Sequence, residues 1–319
     1  MFVSVVVCTR NRADQLGEFL QSAAGLTVPP GLAWELIIVD NGSSDHTAEV
    51  VESFASQIPV RCVREDKAGL SNARNRGVDE AKGDYICWTD DDVKLDPKWL
   101  SAYVAAFEAH PDAAVFAGRI LPVLAPPTPA WFSEIAGDWP ITNVLAERNF
   151  GETPIELDAE RRPFGASYAL RAAEQKRHRY NPHLGVSPNH RRVGEETDVL
   201  QKILAEGAIS RWVPDSKVHH ITQPSRQTAR YIYQYFLCAG ETWAFLQHTQ
   251  PDRNFMGANA DERRKILGAP VSVVKTIVKH GVRYPFSRAF GSPSQWVADL
   301  RLLAIGMGAF SYWRKSRSA

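Results

Sequence analysis

Residues 84–92 read DYICWTDDD, a short apolar run that ends in three consecutive aspartates. The apolar residues predict a buried strand at 84–88, and the aspartates follow its carboxyl end. Adjacent carboxylates repel one another unless a cation neutralises them. Oxygen donors of this kind favour Mg²⁺ or Mn²⁺, which commonly keep phosphate oxygens as further ligands. The alternative interpretation is a solvated acidic turn that leads into a helix at 97–110.

Strand and helix patterns alternate on both sides of this stretch. The predicted strands are 2–8, 34–39, 60–63 and 84–88, and the predicted helices are 12–24, 47–57, 70–81 and 97–110. Such alternation predicts an α/β fold with a mainly parallel, Rossmann-like sheet flanked by helices. Ligands of these sheets bind at the carboxyl ends of the strands, where residues 8–11, Asp40 and residues 90–92 fall.

The pattern becomes less regular after residue 117. Residues 122–140 are rich in Pro and Trp and predict a loop that closes over a site. Further strands are predicted at 163–171 and 209–213, and further helices at 196–206, 227–248, 271–282 and 294–313. We therefore predict a catalytic domain at 1–225 and a helical, basic C-terminal extension at 226–319.

Composition describes a globular chain whose charge is unevenly distributed. Of the 319 residues, 44% are hydrophobic and 23% are charged, and the formal net charge of +1 argues against a nucleic-acid partner. From Arg263 onward, eleven Lys and Arg residues, Arg317 among them, face one acid, Asp299. The two parts of the chain are therefore expected to meet different partners.

The basic C-terminal region also carries apolar spacing. Its basic residues include Lys275, Lys279 and Arg283 at four-residue intervals, and a later apolar stripe consists of Trp296, Leu300, Leu303, Met307 and Phe310. Basic residues beside apolar and Trp side chains are typical of a helix that lies in the plane of an anionic membrane surface. The alternatives are a helical pair packed on the catalytic domain and a dimer contact.

Cysteine usage and the first residues bear on localisation. Cys8, Cys62 and Cys87 lie in or beside predicted strands, and we expect them to be buried thiols of a reducing compartment. Met1 leads directly into a strand pattern without the features of a signal peptide. We therefore expect a cytoplasmic protein, peripheral on the inner face of the membrane where the basic helices bind.

Seven segments resemble, in order, the motifs of family 2 glycosyltransferases, which are inverting enzymes of the GT-A fold. They are 8–12 (CTRNR), 35–45 (ELIIVDNGSSD), 73–75 (ARN), 90–92 (DDD, an Asp-x-Asp motif), 165–169 (GASYA), 194–199 (GEETDV) and 214–220 (PDSKVHH). The resemblance implies a nucleotide-binding half at 1–117 and an acceptor-binding half at 118–225. It also implies transfer of a sugar, from a UDP-sugar before other donors, to a saccharide or lipid-linked acceptor in cell-surface polysaccharide or glycan synthesis.

The resemblance assigns roles to individual residues. Around the nucleotide-sugar donor it implies Thr9, Arg10, Asn11, Asp40, Arg74, Asp90 and Asp91. For a Mg²⁺ or Mn²⁺ ion it implies Asp92 and Asp90, with His220 as a further ligand. Glu196 stands where the family has its aspartate base, and Glu195 and Asp198 are the alternatives.

Residues that contact the donor or acceptor sugar are predicted from two sources. The resemblance implies Gly165, Glu195 and Ser167, the last in place of the family's amide. Trp139, together with Trp131, predicts an aromatic wall for a sugar ring, unless these rings only anchor their loop.

Two other functions stay open. A sugar-phosphate nucleotidyltransferase shares the sheet, the diphosphate and the metal, but it usually carries a Gly-rich loop after its first strand. The segment CTRNRADQL at 8–16 contains no Gly, which disfavours that class. A sugar-nucleotide-binding protein without transferase activity is the second alternative, and metal-dependent donor hydrolysis would distinguish it from an enzyme.

Overall fold

The computed structural model describes residues 1–158, 160–190, 192–250 and 264–316. Its contacts divide the chain into two compact units. The first unit comprises Met1–Val123, Ala146–His190 and Gly194–Ile221, and the second comprises Leu124–Leu145, residues 192–193 and the described chain from Thr222 onward. The functional halves predicted at 1–117 and 118–225 remain predictions, and so does the boundary at 225.

Strands and helices alternate through most of the chain. The strands are β1 (Phe2–Thr9), β2 (Ala33–Asp40), β3 (Val60–Arg64), β4 (Tyr85–Asp90), β5 (Val93–Leu95), β6 (Ala113–Leu124), β7 (Ser167–Arg171), β8 (Ile209–Thr222), β9 (Lys265–Ile266) and β10 (Ala269–Pro270). The helices are α1 (Ala13–Ala24), α2 (Thr47–Ser53), α3 (Leu70–Glu80), α4 (Trp99–Ala109), α5 (Ala130–Ile135), α6 (Ile141–Val144), α7 (Ala172–Arg177), α8 (Glu195–Ala205), α9 (Ala229–Thr249), α10 (Val271–Phe290) and α11 (Pro293–Lys315).

One eight-stranded sheet organises the first unit, in the order β3-β2-β1-β4-β7-β6-β8-β5. The pairs of β1 with β2, β1 with β4, and β2 with β3 are parallel, as predicted. The pairs of β4 with β7, β6 with β7, and β5 with β8 are antiparallel, so the sheet is mixed rather than mainly parallel. The parallel part consists of β1 to β4, which are joined in sequence by the helical crossovers that parallel neighbours require.

Alternating side chains of the strands bury both faces of this sheet. Val5 and Val7 of β1 pack with Leu16 and Phe19 of α1 on one face. Val6 lies on the other face, in a separate cluster with Trp88 of β4. Strands covered on both faces are apolar along their whole length, which explains the run FVSVVVC at 2–8.

The second unit is helical, and its core corrects two predictions. The segment 122–140, predicted as a loop, contains α5, whose Phe132 and Ile135 are buried with Trp296 and Leu300 of α11. Apolar side chains three residues apart lie on one face of a helix and can be buried together. The stripe predicted to meet a membrane therefore begins with two residues of the protein core.

Helices α9 and α11 approach each other through two glycines. A Cβ atom at Gly240 would overlap the carbonyl oxygen of Ile305, and one at Gly308 would overlap the carbonyl oxygen of Leu237. Helix α10 is longer than its predicted span, since it continues past residue 282 and through Pro285 to Phe290.

Other sequence-based expectations have mixed outcomes. Cys87 is buried as predicted, but Cys62 is exposed. Arg263 and Arg317 of the basic region lie outside the described residues. Within the described chain, every helix is too short or too polar to cross a membrane.

Candidate active site

The strand register brings the predicted polar segments to one edge of the sheet. Thr9 at the end of β1 pairs with Asp40 at the end of β2, and Cys8 pairs with Asp90 at the end of β4. These three parallel strands therefore end at the same level, as the sequence predicts. The side chains that follow them can form one site.

The side chains of Asp91 and Asp92 contact residues at and just after the end of β1, and His220 of β8. The buried Asp91 accepts hydrogen bonds from Thr9 Oγ1 at 2.7 Å and from Arg12 Nη1 at 2.7 Å. Asp92 Oδ2 lies 3.4 Å from the same Arg12 nitrogen, and Asp92 Oδ1 lies 3.5 Å from His220 Nε2. Arg12 was not among the predicted site residues, although it ends the segment CTRNR at 8–12.

Arg74 on α3 is the buried cation at the centre of the site. Its Nη1 lies 3.1 Å from Glu195 Oε1 and 3.8 Å from Glu196 Oε2, and its Nη2 lies 3.8 Å from Asp90 Oδ1. The guanidinium carbon also lies 5.5 Å from the centroid of the Tyr180 ring. Helices α3 and α8 thus bring one guanidinium and two glutamates to the carboxylate at the end of β4.

Two tyrosines that the sequence analysis did not single out lie next to Arg74. The hydroxyl oxygens of Tyr168 and Tyr180 lie 2.6 Å apart, and both rings are buried against Trp88. The Tyr180 hydroxyl donates to Gln175 Oε1 at 3.1 Å. The two tyrosines thus form a buried aromatic surface beside Arg74.

Burial alters the acidity of the clustered carboxyl groups. It raises the pKa of Asp90 to about 7, although Arg74 opposes the shift. Burial and, next, the neighbouring Glu196 raise the pKa of Glu195 to about 7. Burial also raises the pKa of Asp91, against the opposing charge of Arg12. Five carboxyl groups, those of residues 90–92, Glu195 and Glu196, surround only two arginines, so their ionisation leaves an excess of negative charge.

That excess of negative charge suits a divalent cation. In the described part of the chain, no three His, Cys, Asp or Glu side chains are arranged to enclose a metal on their own. Mg²⁺ and Mn²⁺ need fewer protein ligands when substrate phosphates and water complete the shell. Asp90, Asp92 and His220 have the donor chemistry to hold such an ion, with one or two of them as direct ligands.

The residues predicted around the nucleotide line the ends of β1 and β2. Asp40 Oδ1 accepts a hydrogen bond from the Ser43 backbone N–H at 2.7 Å, and Asp40 Oδ2 lies 3.4 Å from Arg64 Nη1. Asn11 Oδ1 accepts from the Ser44 backbone N–H at 2.8 Å. Arg10 is exposed. Asn11 and Asp40 thus shape the turn at 41–45, and their contact with a nucleotide remains a prediction.

The residues predicted to contact a sugar fall in three different environments. Gly165 lies beside Arg74, where a Cβ atom would be 3.2 Å from Nη2 and 3.9 Å from Asp90 Oδ2. Glu195 lies in the same cluster, and a Cβ atom at Gly185 would lie 3.4 Å from its carboxyl carbon. The absence of side chains at both glycines leaves room around these charged groups.

Ser167 and Trp139 lie elsewhere. Ser167 is fully buried, and its hydroxyl oxygen is 3.0 Å from both Trp99 Nε1 and the Tyr103 hydroxyl. The structure therefore makes this hydroxyl a hydrogen-bonding group of the core and does not bring it to the acidic cluster. Trp139 belongs to the second unit, where its exposed ring lies 4.2 Å from the Arg301 guanidinium carbon.

The three candidate bases on α8 also have different partners. Asp198 pairs with Lys202 on the same helix, with Nζ 2.6 Å from Oδ2. Glu195 and Glu196 instead lie within 4 Å of the Arg74 guanidinium. Among the described acids at the start of α8, Glu195 and Glu196 alone lie in the cluster with Asp90.

The sequence is similar to a known protein family and to individual members of known function. Residues 4–153 match the profile of the family Glycosyl transferase family 2. The chain is 25% identical over 244 residues to the succinoglycan biosynthesis protein ExoM of Rhizobium meliloti. That match covers 76% of this chain and 74% of that protein. The chain is 29% identical over 175 residues to the glucosyl-dolichyl phosphate glucuronosyltransferase of Haloferax volcanii, but the match covers only 54% of this chain and 53% of that protein.

Solved structures match over nearly the whole chain. The mannosyltransferase PcManGT of Pyrobaculum calidifontis, in complex with GDP-Man and Mn²⁺, superposes with a TM-score of 0.58 at 14% identity, over 99% of this chain and 88% of that one. TarS 1–349 of S. aureus, in complex with UDP, gives a TM-score of 0.54 at 16% identity, over 99% and 92%. At such identities these matches establish the fold alone.

The mixed sheet, the polar edge and these matches define a glycosyltransferase with the GT-A fold and a helical C-terminal part. The family profile over residues 4–153, somewhat under half of the chain, agrees with the motif resemblance to glycosyl transferase family 2.

Proposed function

We propose that this glycosyltransferase moves a hexosyl group from a UDP-sugar to a hydroxyl of a saccharide or lipid-linked acceptor, with inversion and with a divalent cation. The observation that carries the proposal is the buried Arg74, which lies between Asp90 on one side and Glu195 and Glu196 on the other. Such an arrangement offers a cation for a diphosphate and a carboxylate for a proton at adjacent positions.

Each group then has a distinct role in the transfer. Glu196 takes the proton of the acceptor hydroxyl as its oxygen attacks the anomeric carbon. The bond between that carbon and the diphosphate oxygen breaks, and the nucleoside diphosphate leaves with the bonding electrons. Arg74 stabilises the charge that develops on the leaving group. One displacement inverts the anomeric centre, and no covalent intermediate is required.

The acidic triplet would hold the cation. Asp92 and Asp90, with His220 as a further ligand, would hold a Mg²⁺ or Mn²⁺ ion, which would add positive charge beside the diphosphate. Thr9 and Arg12 hold Asp91 in place beside these ligands. Asp40 and Asn11, at the neighbouring strand ends, would contact the base and ribose of the donor together with Arg10.

The acceptor class is proposed from the relatives. The Haloferax volcanii protein is named for a dolichyl phosphate substrate and ExoM for succinoglycan biosynthesis. Both names fit the assembly of cell-surface glycans on lipid-linked intermediates. Such acceptors lie at membranes, which would place this protein at the inner membrane face.

Donor screening followed by a turnover assay tests the proposal. Thermal shift with UDP-, GDP- and dTDP-sugars in the presence of Mn²⁺ is expected to show stabilisation by a UDP-sugar. Slow Mn²⁺-dependent release of UDP from that donor would support a transferase. Stabilisation without any release would indicate a binding protein, and formation of a nucleotide sugar from UTP and a sugar phosphate would indicate a nucleotidyltransferase.

A further inference from the structure

Helix α10 presents an apolar stripe to solvent. Its four members follow one another at intervals of four residues, the spacing that aligns side chains along one face of a helix. They are Val278, Val282, Phe286 and Phe290, whose exposed fractions are 61%, 60%, 65% and 87%. The stripe is about 18 Å long at the rise of an α-helix. Soluble surfaces seldom leave so continuous an apolar row uncovered.

This stripe differs from the one that the sequence suggested. Trp296 and Leu300 of the earlier stripe are buried in the core of the second unit. On α10 itself, the inward positions are taken by Val273 and His280. The four side chains of the exposed stripe are therefore not part of the core of the second unit.

Basic residues run alongside the apolar stripe. Lys279 and Arg283 each follow a valine of the stripe by one residue, which places them about 100° further around the helix. Lys275 lies one turn earlier on the same basic row and is exposed. The 20 residues of α10 contain no Asp or Glu. The exposed side of α10 thus combines an apolar row with a positively charged flank.

We infer that the exposed side of α10 binds an anionic lipid bilayer, with the helix lying in the membrane plane. The four apolar side chains would enter the boundary between headgroups and acyl chains, and the flanking Lys and Arg would meet the lipid phosphates. No spanning segment is needed, and none is found among the helices of the described chain. The inference extends the proposed lipid-linked acceptor by naming the surface that would reach it.

Charge favours a lipid surface over a second copy of this chain. In a two-fold symmetric dimer, the same patch meets itself. Lys275 and Lys279 would then face their copies across an interface to which α10 contributes no acid, whereas Arg283 is already paired with Asp299 of α11 at 3.3 Å. Like charges at such contacts oppose association. Anionic headgroups supply the opposite charge that the patch lacks.

Vesicle co-sedimentation of the full chain tests this inference, without donor or acceptor. Wild-type protein is expected to pellet with vesicles that contain phosphatidylglycerol, and less with pure phosphatidylcholine or at high salt. Phe286→Ser with Phe290→Ser should lower the partition coefficient about tenfold, because two large apolar side chains no longer enter the bilayer. Lys275→Ser with Lys279→Ser should weaken binding to the anionic vesicles alone.

Matched variants control for general effects of substitution. Val278→Ser with Val282→Ser removes two stripe residues, whereas Val123→Ser with Val186→Ser removes two exposed valines of the first unit. Only the first pair should weaken vesicle binding, and thermal unfolding should show that all variants fold.

Wild-type protein that stays in the supernatant would overturn the inference, as would Phe variants that bind like wild type. Self-association that the Phe variants abolish, without vesicle binding, would point to a second copy instead. None of these outcomes would contradict the proposed transferase activity, because the experiment uses neither donor nor acceptor.

Discussion

Two adjacent glutamates at the start of α8 have different positions relative to one cation. Glu195 Oε1 lies 3.1 Å from Arg74 Nη1, within ion-pair distance, whereas Glu196 Oε2 lies 3.8 Å from the same nitrogen. A carboxylate in a close ion pair with a guanidinium is less free to approach an acceptor hydroxyl, and proximity is the first requirement of a general base. The geometry therefore favours Glu196 as the base and Glu195 as the partner of Arg74.

Replacement of Glu196 by Gln tests this division of roles. The variant keeps the shape of the side chain but cannot accept the proton, so we expect the transfer rate to fall by about 10²–10⁴-fold. Binding of UDP with Mn²⁺, measured by calorimetry, should stay within about threefold of wild type, because Arg74 and the aspartates remain. The matched control is Asp198→Asn on the same helix, which should retain transfer. Loss of transfer in the control but not in Glu196→Gln would assign the base to Asp198.

The raised pKa of Glu195 predicts how stability depends on pH. A carboxyl group that titrates near 7 in the folded state, against an ordinary value near 4.5, binds its proton more tightly when the chain is folded. Its stabilising effect is present at low pH and is lost as the pH rises through about 7, by up to about 3 kcal/mol. The free energy of unfolding without metal should therefore decrease from about pH 4.5, where this carboxyl ionises in the unfolded chain, to about pH 7, where it ionises in the folded chain, and then level off.

Glu195→Gln is the control for this dependence. Its amide does not titrate, so the decrease in unfolding free energy should be smaller than in wild type, with Asp90 and Asp91 as the remaining sources. Denaturant unfolding at several pH values measures the difference. A decrease of the same size in both proteins would show that Glu195 does not cause it.

The identities of the charged site residues could be predicted from sequence, but their contacts could not. Asp90, Asp92 and Arg74 follow recognisable strands or motifs, and the strand register brings them together. Arg12 escaped prediction because its pairing with Asp91 spans 79 residues of sequence. Ser167 was placed near the sugar by motif position, whereas the strand directs its hydroxyl into the core, toward Trp99.

At the scale of elements, apolar periodicity predicted most of the strands and helices of the first unit. It failed where the partner of an apolar side chain lies far along the chain. The segment 122–140 reads as a Pro-rich loop until Phe132 and Ile135 meet the apolar side chains of α9 and α11. Likewise, β8 extends through Pro214 to Thr222, because pairing with its neighbours in the sheet outweighs the local turn signal.

The close contact between α9 and α11 predicts that Gly308 tolerates no larger residue. A side chain there would overlap the Leu237 carbonyl oxygen, which belongs to helix backbone and cannot rotate away. Gly308→Val should destabilise the protein by about 3 kcal/mol or more and lower its melting temperature. Circular dichroism during heating measures the change.

Gly281 on α10 is the matched control. A Cβ atom there would make an ordinary contact of 3.8 Å with Leu303 Cδ1. Gly281→Ala should therefore be neutral or stabilise the helix, by up to about 1 kcal/mol. A melting temperature for Gly308→Val that equals the wild-type value would contradict the close helix contact.

For the whole molecule, a net charge of +1 conceals two opposite concentrations of charge. The first unit gathers Asp90, Asp91, Asp92, Glu195 and Glu196 around two arginines at the ends of its strands. The second unit carries the basic, apolar surface of α10. Sequence alone revealed the uneven charge, but the location of the exposed apolar stripe required the packing of the helices.

The acidic cluster is the centre of this account, which states that it binds a nucleoside diphosphate through a divalent cation. Calorimetric titration of UDP into wild-type protein, Asp92→Asn and Glu196→Gln, with Mn²⁺ or with EDTA, tests that statement most directly. We expect Mn²⁺-dependent binding to wild type and Glu196→Gln, and affinity at least about tenfold weaker for Asp92→Asn and for wild type in EDTA, because a metal ligand or the metal is then missing. Equal affinity for UDP in all three proteins, with and without Mn²⁺, would contradict it.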